Sequence, residues 1–387
     1  MNTRRDFIKG AGLGALALAL PSTRPTFPPT LVPPERYTLF VGTYTQGASK
    51  GIYIAQMDAE TGRVEVVDAV ASADPSFLAL DPTQRHLYAV NELMEFEGER
   101  QGAASAFTVD PDGAGLRFAG QQPTGGGAPC HVALDGTGRY VVVANYMGGN
   151  VAVFPVAPDG GLGARSDLVQ FHGSGPNKKR QEAPHAHQVI FDPANRYVFV
   201  CDLGTDRVMG YRLDAEQGKL RHVSSASLPP GSGPRHLAFH PNGGQAYVVT
   251  EMASTIVRCA YDPASGTLTA RESVPMLPAD FEGESTAAEI AIHPSGRFLY
   301  ASNRGHDSIV VYAIDPASGM LSLVQHQSTL GKTPRSFTIA PGSRFLLVAN
   351  KDSDSVISFA LDAETGRLAP TGDSTEIPMP VCLLFAG

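Results

Sequence analysis

His185 and His187 stand two residues apart, and Glu182 precedes them by three. Strand residues two apart share a face, so both imidazoles are expected to project together. Histidine beside a carboxylate is the material of a general base, and also of a metal site. No third ligand follows at a diagnostic spacing, so no metal or other cofactor is expected. Arginines stand at Arg235 and Arg335, each directly after a proline, and at Arg304 in Ser302-Asn303-Arg304. Guanidinium groups can hold a carboxylate, a phosphate or a developing oxyanion. Glu251 and Glu289 supply carboxylates. Other chemistries lack their signatures. No Gly-x-Ser-x-Gly elbow is present. Gly125-Gly126-Gly127 and Gly148-Gly149 do not open a helix that could receive a phosphate. Cys130, Cys201, Cys259 and Cys382 form no CxxC pair, although an oxidising compartment would let some of them join. Lys178-Lys179-Arg180 is read as a solvated loop.

A repeat must position these residues. Each unit runs from Pro through an inner strand, a turn, and a second strand ending in a polar group. It reads Pro75–Asp81 with Leu87–Glu92, Pro129–Asp135 with Tyr140–Tyr146, and Pro184–Asp192 with Tyr197–Asp202. It continues as Pro234–His240 with Ala246–Glu251, Ala288–His293 with Phe298–Arg304, and Pro334–Ala340 with Phe345–Lys351. A seventh start, Pro380–Phe385, ends the chain, and its missing strand stands at Tyr37–Tyr44. Unit starts lie 46 to 55 residues apart, and several short strands per unit mean propeller blades. The expected fold is all-β, a seven-bladed β-propeller over residues 37–387, with one blade closed by N- and C-terminal strands. Each hairpin leaves one end of the disc and returns to it. The residues after Pro (Ser76, Cys130, His185, Arg235, Glu289, Arg335 and Val381) should therefore ring one channel mouth. So should the second-strand ends Tyr44, Glu92, Tyr146, Leu203, Glu251, Arg304 and Lys351. His131 and His236 are expected to pack within blades. His240 and His293 are expected as surface groups at the opposite end.

The chain has 387 residues and a formal net charge of -8, which argues against a general nucleic-acid binder. Arg4-Arg5, Phe7 and Lys9 precede an apolar run from Ala11 to Leu20. That pattern fits a cleaved twin-arginine signal over residues 1–20, followed by a Pro-rich linker over 21–36. Export to the periplasm is expected, with no stable membrane span after cleavage.

Glu182-Ala-Pro-His-Ala-His187, Gly233-Pro-Arg-His236, Ser302-Asn-Arg304 and Pro334-Arg335, set on this propeller, resemble the lactonase family. That family includes the bacterial propeller-type 6-phosphogluconolactonase and the fungal 3-carboxymuconate lactonizing enzyme. The resemblance spans about Tyr37 to Phe385. It implies a small-molecule lactone substrate and metal-free chemistry, by hydrolysis or, in the muconate type, by lactone formation. Carried over by motif, it implies catalytic roles for Arg235, Glu251, Arg304 (or Arg335) and either His185 or His187. Glu182, Glu289, Arg335 and Tyr146 are then expected to contact substrate.

Overall fold

The computed structural model describes residues 35–111 and 113–386. The expected signal, 1–20, lies outside the described residues, as does the linker up to residue 34. The described residues form seven four-stranded antiparallel sheets, each one blade. In chain order, blades 2 to 4 begin with the innermost strands Phe77–Leu80, Pro129–Leu134 and Ala186–Phe191. Blades 5 to 7 begin with Pro234–Phe239, Thr286–Ile292 and Pro334–Ile339. Blade 1 takes its innermost strand from the other end of the chain. There Pro380–Ala386 pairs with Arg36–Thr43, and Leu39 faces Phe385. As expected, the two ends share a sheet, which closes the ring without an open inner edge.

Apolar side chains on both faces of each blade pack against its neighbours. Between blades 4 and 5, Tyr197, Phe199, Leu237, Val248 and Val257 form one buried cluster. Each such side chain contributes about 1.5–3 kcal/mol. A polar lock joins successive blades. Tyr197 donates its hydroxyl to the Ala264 carbonyl at 2.8 Å, Tyr247 to Gly319 at 2.7 Å, and Tyr300 to Gly366 at 3.0 Å. The acceptors lie in Asp-to-Gly turns of the next blade. In one of these turns Gly266 has φ +69°, and a Cβ would stand 2.5 Å from the Tyr197 ring. Conformation and space both require glycine there.

The inner strands bulge at their mouth ends. In blade 5, Pro234 faces Thr250 and His236 faces Val249, which leaves Arg235 as the extra residue. Cys130 and Arg335 are extra in blades 3 and 7, and His187 is extra in blade 4. Blade 6 bulges over Ala288 and Glu289. A bulge interrupts alternation, so neighbouring side chains can both turn to the axis. Several expectations are corrected as a result. His187, not His185, occupies the blade-4 position equivalent to Arg235. His131 and His236 do not pack within blades but meet across the axis, with ring centroids 5.3 Å apart. His240 and His293 do lie at the opposite end, but they are buried. His240 Nδ1 accepts from the Asn242 N–H at 3.1 Å, and its Nε2 donates to the Gly296 carbonyl at 2.9 Å. All four cysteines are buried free thiols, so none is paired.

Candidate active site

The second strands deliver Tyr44, Glu92, Tyr146, Glu251, Arg304 and Lys351 to one end of the disc. A cavity of about 440 Å³ opens there. Tyr146, His187, Glu251, Arg304 and Arg335 line it, as expected from the sequence. Tyr44, Glu92, Cys130, Arg180 and Thr286 complete its wall. A second cavity of about 470 Å³ adjoins it through Tyr44, Thr286, Arg304 and Arg335, and extends to Lys351.

Glu251 is the centre of the wall, and it is only 4% exposed. Its Oε1 accepts a hydrogen bond from Arg180 Nη2. Its Oε2 lies 3.0 Å from Arg304 Nη2 and 3.2 Å from Arg235 Nε, although that Nε is not aimed as a hydrogen-bond donor. Burial alone would push the carboxyl pKa up. The charges of Arg304 and Arg235 and the bond from Arg180 outweigh it and bring the value to about 2. Glu251 is therefore ionised at neutral pH and a weak base.

His187 Nε2 stands 3.9 Å from Glu251 Oε2. Burial, and then the positive charges of Arg235, Arg335 and Arg304, hold its pKa well below the ordinary value. It is a neutral imidazole at pH 7, able to accept a proton. Its Nδ1 is buried without a hydrogen-bond partner. Glu251 and His187 are therefore both unprotonated at neutral pH, and its lowered pKa makes His187 a weaker base than a free imidazole.

Arg335 stacks over the Tyr44 ring at 5.5 Å, and its nearest carboxylate, Glu92, is 3.9 Å away. Tyr44 donates its hydroxyl to that carboxylate at 3.0 Å. Arg335 forms no hydrogen bond among the described residues, so its donors are available to a ligand. Around the cavity Arg180, Arg235, Arg304 and Arg335 outnumber Glu251 and Glu92. The excess of positive charge favours an anion or an oxyanion and repels a metal cation.

Four expected residues stand elsewhere. His185 is buried behind the wall, stacked on Tyr146 with centroids 4.5 Å apart and its Nδ1 3.0 Å from the Tyr146 carbonyl. Glu182 is exposed and touches only the far side of that ring, with Oε1 3.2 Å from His185 Nε2. Arg235 lies under Glu251 rather than in the cavity wall. Glu289 is one layer deeper, facing an axial cavity of about 390 Å³. Conversely, Arg180, expected in a solvated loop, bonds Glu251 and lies 3.3 Å from the Tyr146 hydroxyl. It comes from a connection without repeat character, whose length between blades 3 and 4 was the available signal.

The sequence matches the family described as lactonase, 7-bladed beta-propeller, over residues 38–385. It is 37% identical over 351 residues to the 6-phosphogluconolactonase of Bacillus subtilis, covering 90% of this chain and 98% of the relative. The 6-phosphogluconolactonase of Formosa agariphila is 35% identical over 312 residues, covering 77% of this chain and 85% of that one. Among solved structures, the periplasmic gluconolactonase of Pseudomonas aeruginosa is similar with a TM-score of 0.86. It is 36% identical, covering 91% of this chain and 99% of that one. With seven blades closed by both chain ends and an arginine-held glutamate at their mouth, the chain belongs to the lactonase family of seven-bladed β-propellers.

Proposed function

We propose that the chain hydrolyses a sugar lactone at the cavity around Glu251, with His187 as general base. The observation that carries this reading is a neutral imidazole beside a carboxylate that three arginines keep ionised. A water molecule attacks the lactone carbonyl carbon while His187 Nε2 takes its proton. The carbonyl oxygen becomes an oxyanion, and Arg304 and Arg335 carry its charge. Glu251 stabilises the transient imidazolium. The ring C–O bond then breaks, and the imidazolium returns its proton to the leaving alkoxide. The hydroxy acid is released and loses its acidic proton to solvent. Assay of the purified protein against a panel of δ- and γ-lactones tests the reading. Ring opening of an aldonolactone is expected, and lack of turnover across the panel overturns it.

We infer also that the protein is exported. Arg4-Arg5 and the apolar run after them support this, as does the resemblance to a periplasmic gluconolactonase. A periplasmic enzyme would meet unphosphorylated lactones such as gluconolactone. Free gluconolactone is therefore the expected substrate, and a large rate preference for 6-phosphogluconolactone would contradict it. Changing Arg4 and Arg5 to Lys should retain the protein in the cytoplasm, and unaltered export would contradict that.

A further inference from the structure

Beneath the cavity a second layer of side chains crosses the propeller axis. The inner strands contribute Phe77, His131, His236 and Glu289, each next in sequence to a mouth position. Phe77 stacks on His131 with centroids 3.8 Å apart, and His131 meets His236 edge to face at 5.3 Å. His236 in turn meets His187 at 5.3 Å. Only His187 of these rings lines the cavity; His131, His187 and His236 are buried, and Phe77 is half-buried.

The polar contacts of this layer run in one direction. Glu289 Oε1 lies 2.8 Å from His236 Nδ1, and His236 Nε2 lies 3.3 Å from Arg235 Nη1. Arginine can only donate, so His236 Nε2 must accept. His236 is then neutral, with its proton on Nδ1 and donated to Glu289. The same Arg235 Nη1 donates to the Ala288 carbonyl at 2.6 Å, and Arg235 Nε abuts Glu251 Oε2. Two carboxylates thus bracket one guanidinium, one directly and one through an imidazole whose tautomer the far carboxylate fixes.

We propose that Glu289 and His236 are positioning residues that hold Arg235, and through it Glu251, in the geometry of the reacting site. Neither lines the cavity of the reaction, and Glu289 reaches that site through His236. The proposal rests on the lactonase reading for its kinetic effect, but not for its structural one. Without the pair, Arg235 keeps its carbonyl contact and loses its second anchor. Glu251 can then shift with it, and the arginines aimed by Glu251 shift as well. Displacements of this size are costly because catalysis depends on preset geometry.

The test is a cycle of variants read by turnover, supported by a spectroscopic measurement. Glu289→Ala should lower kcat about 10- to 100-fold, the range for losing a hydrogen-bonded partner one layer behind a site. Glu289→Gln keeps an acceptor for Nδ1–H and should stay within about fivefold of wild type. In an Arg235→Ala background, Glu289→Ala should cost almost nothing further, because the residue through which it acts is gone. His236→Phe keeps the ring packing against His131 and His187 and removes both nitrogens, so it should match Glu289→Ala. Equal, additive losses in both backgrounds, or equal losses for Glu289→Ala and Glu289→Gln, would overturn the proposal. ¹⁵N spectra of the imidazoles provide a readout independent of turnover. His236 should be a neutral Nδ1–H tautomer at pH 7, and a cationic or Nε2–H form would overturn the proposal even in a protein that turns over no lactone.

Discussion

The inner hairpins have two ends, and the same strands solve opposite problems at each. At the turn end one solution repeats. Asp135 Oδ1 accepts the N–H groups of Arg139 and Tyr140, both at 2.8 Å, and Asp192 Oδ1 accepts those of Arg196 and Tyr197 at 2.6 and 2.7 Å. Asp81 does the same for Arg85 and His86. In these three turns the aspartate satisfies backbone N–H groups of its own blade. At the mouth end equivalent positions carry Cys130, His187, Arg235 and Arg335, and each reaches a partner in another blade, although Arg235 also meets Glu251 of its own blade. Glu251 of blade 5 is bonded by Arg304 of blade 6 and by Arg180 from the connection before blade 4. Residues that recur around the ring maintain the fold, and residues that break the recurrence assemble the site.

That contrast can be broken by substitution at either end. The largest effect is expected for Glu251→Gln. It removes the counter-charge of three arginines and of the transient imidazolium, and should reduce kcat about 10²–10³-fold, as for loss of a preset electrostatic partner. It should also destabilise the fold by about 3 kcal/mol, because buried cations are left unpaired. Stopped-flow or pH-stat turnover and urea unfolding would check both. Next, His187→Gln should cost about 10²-fold in kcat, the lower end for loss of a general base. Its stability should change little, since Nδ1 already lacks a partner. A near-normal rate for either variant would remove that residue from the mechanism. At the other end Asp192→Ala should do the reverse. Its two backbone contacts and the Tyr261 hydroxyl at 3.0 Å are lost, at a cost of about 1–3 kcal/mol, while kcat stays unchanged. A kcat loss without unfolding would show that the two ends are coupled.

The two ends were also unequally legible in the sequence. Regular spacing made the blades readable, including the split blade of Leu39 and Phe385. Second-strand ends such as Glu251 and Arg304 were readable because they close a strand of constant pattern. The inner-strand starts misled because the prolines are not equivalent. Six residues separate Pro234 from His240, and six separate Ala186, not Pro184, from Asp192. Counting back from the turn aligns His187 with Arg235 and Glu289 with His236, which also explains why the latter two meet. Arg180 follows no repeat, so no periodic argument could find it.

The smallest expected effect concerns protons in and beneath the cavity. Burial is the main reason that His131, His187 and His236 all have pKa values below the ordinary histidine value in the folded protein. The unfolded chain binds protons at these groups once the pH drops below about 6.5, while the folded protein resists. Their contribution to stability is therefore complete above about pH 6.5 and is lost progressively as pH falls. Glu251 adds a later stage. Its pKa of about 2 in the fold lies below the unfolded value of about 4.3. Its contribution is present above that unfolded value and is lost as pH falls toward 2. Acid unfolding should thus steepen twice. Phe77 already fills in blade 2 the position that His131 fills in blade 3, so His131→Phe is a substitution the layer can accept. It should flatten the first stage by up to about 1.4 kcal/mol per pH unit, one proton's worth, with little change at pH 8. Urea unfolding between pH 5 and 8 measures that slope. An unchanged slope would mean that the His131 imidazole charges as readily in the fold as in the unfolded chain, contrary to its burial beside His236.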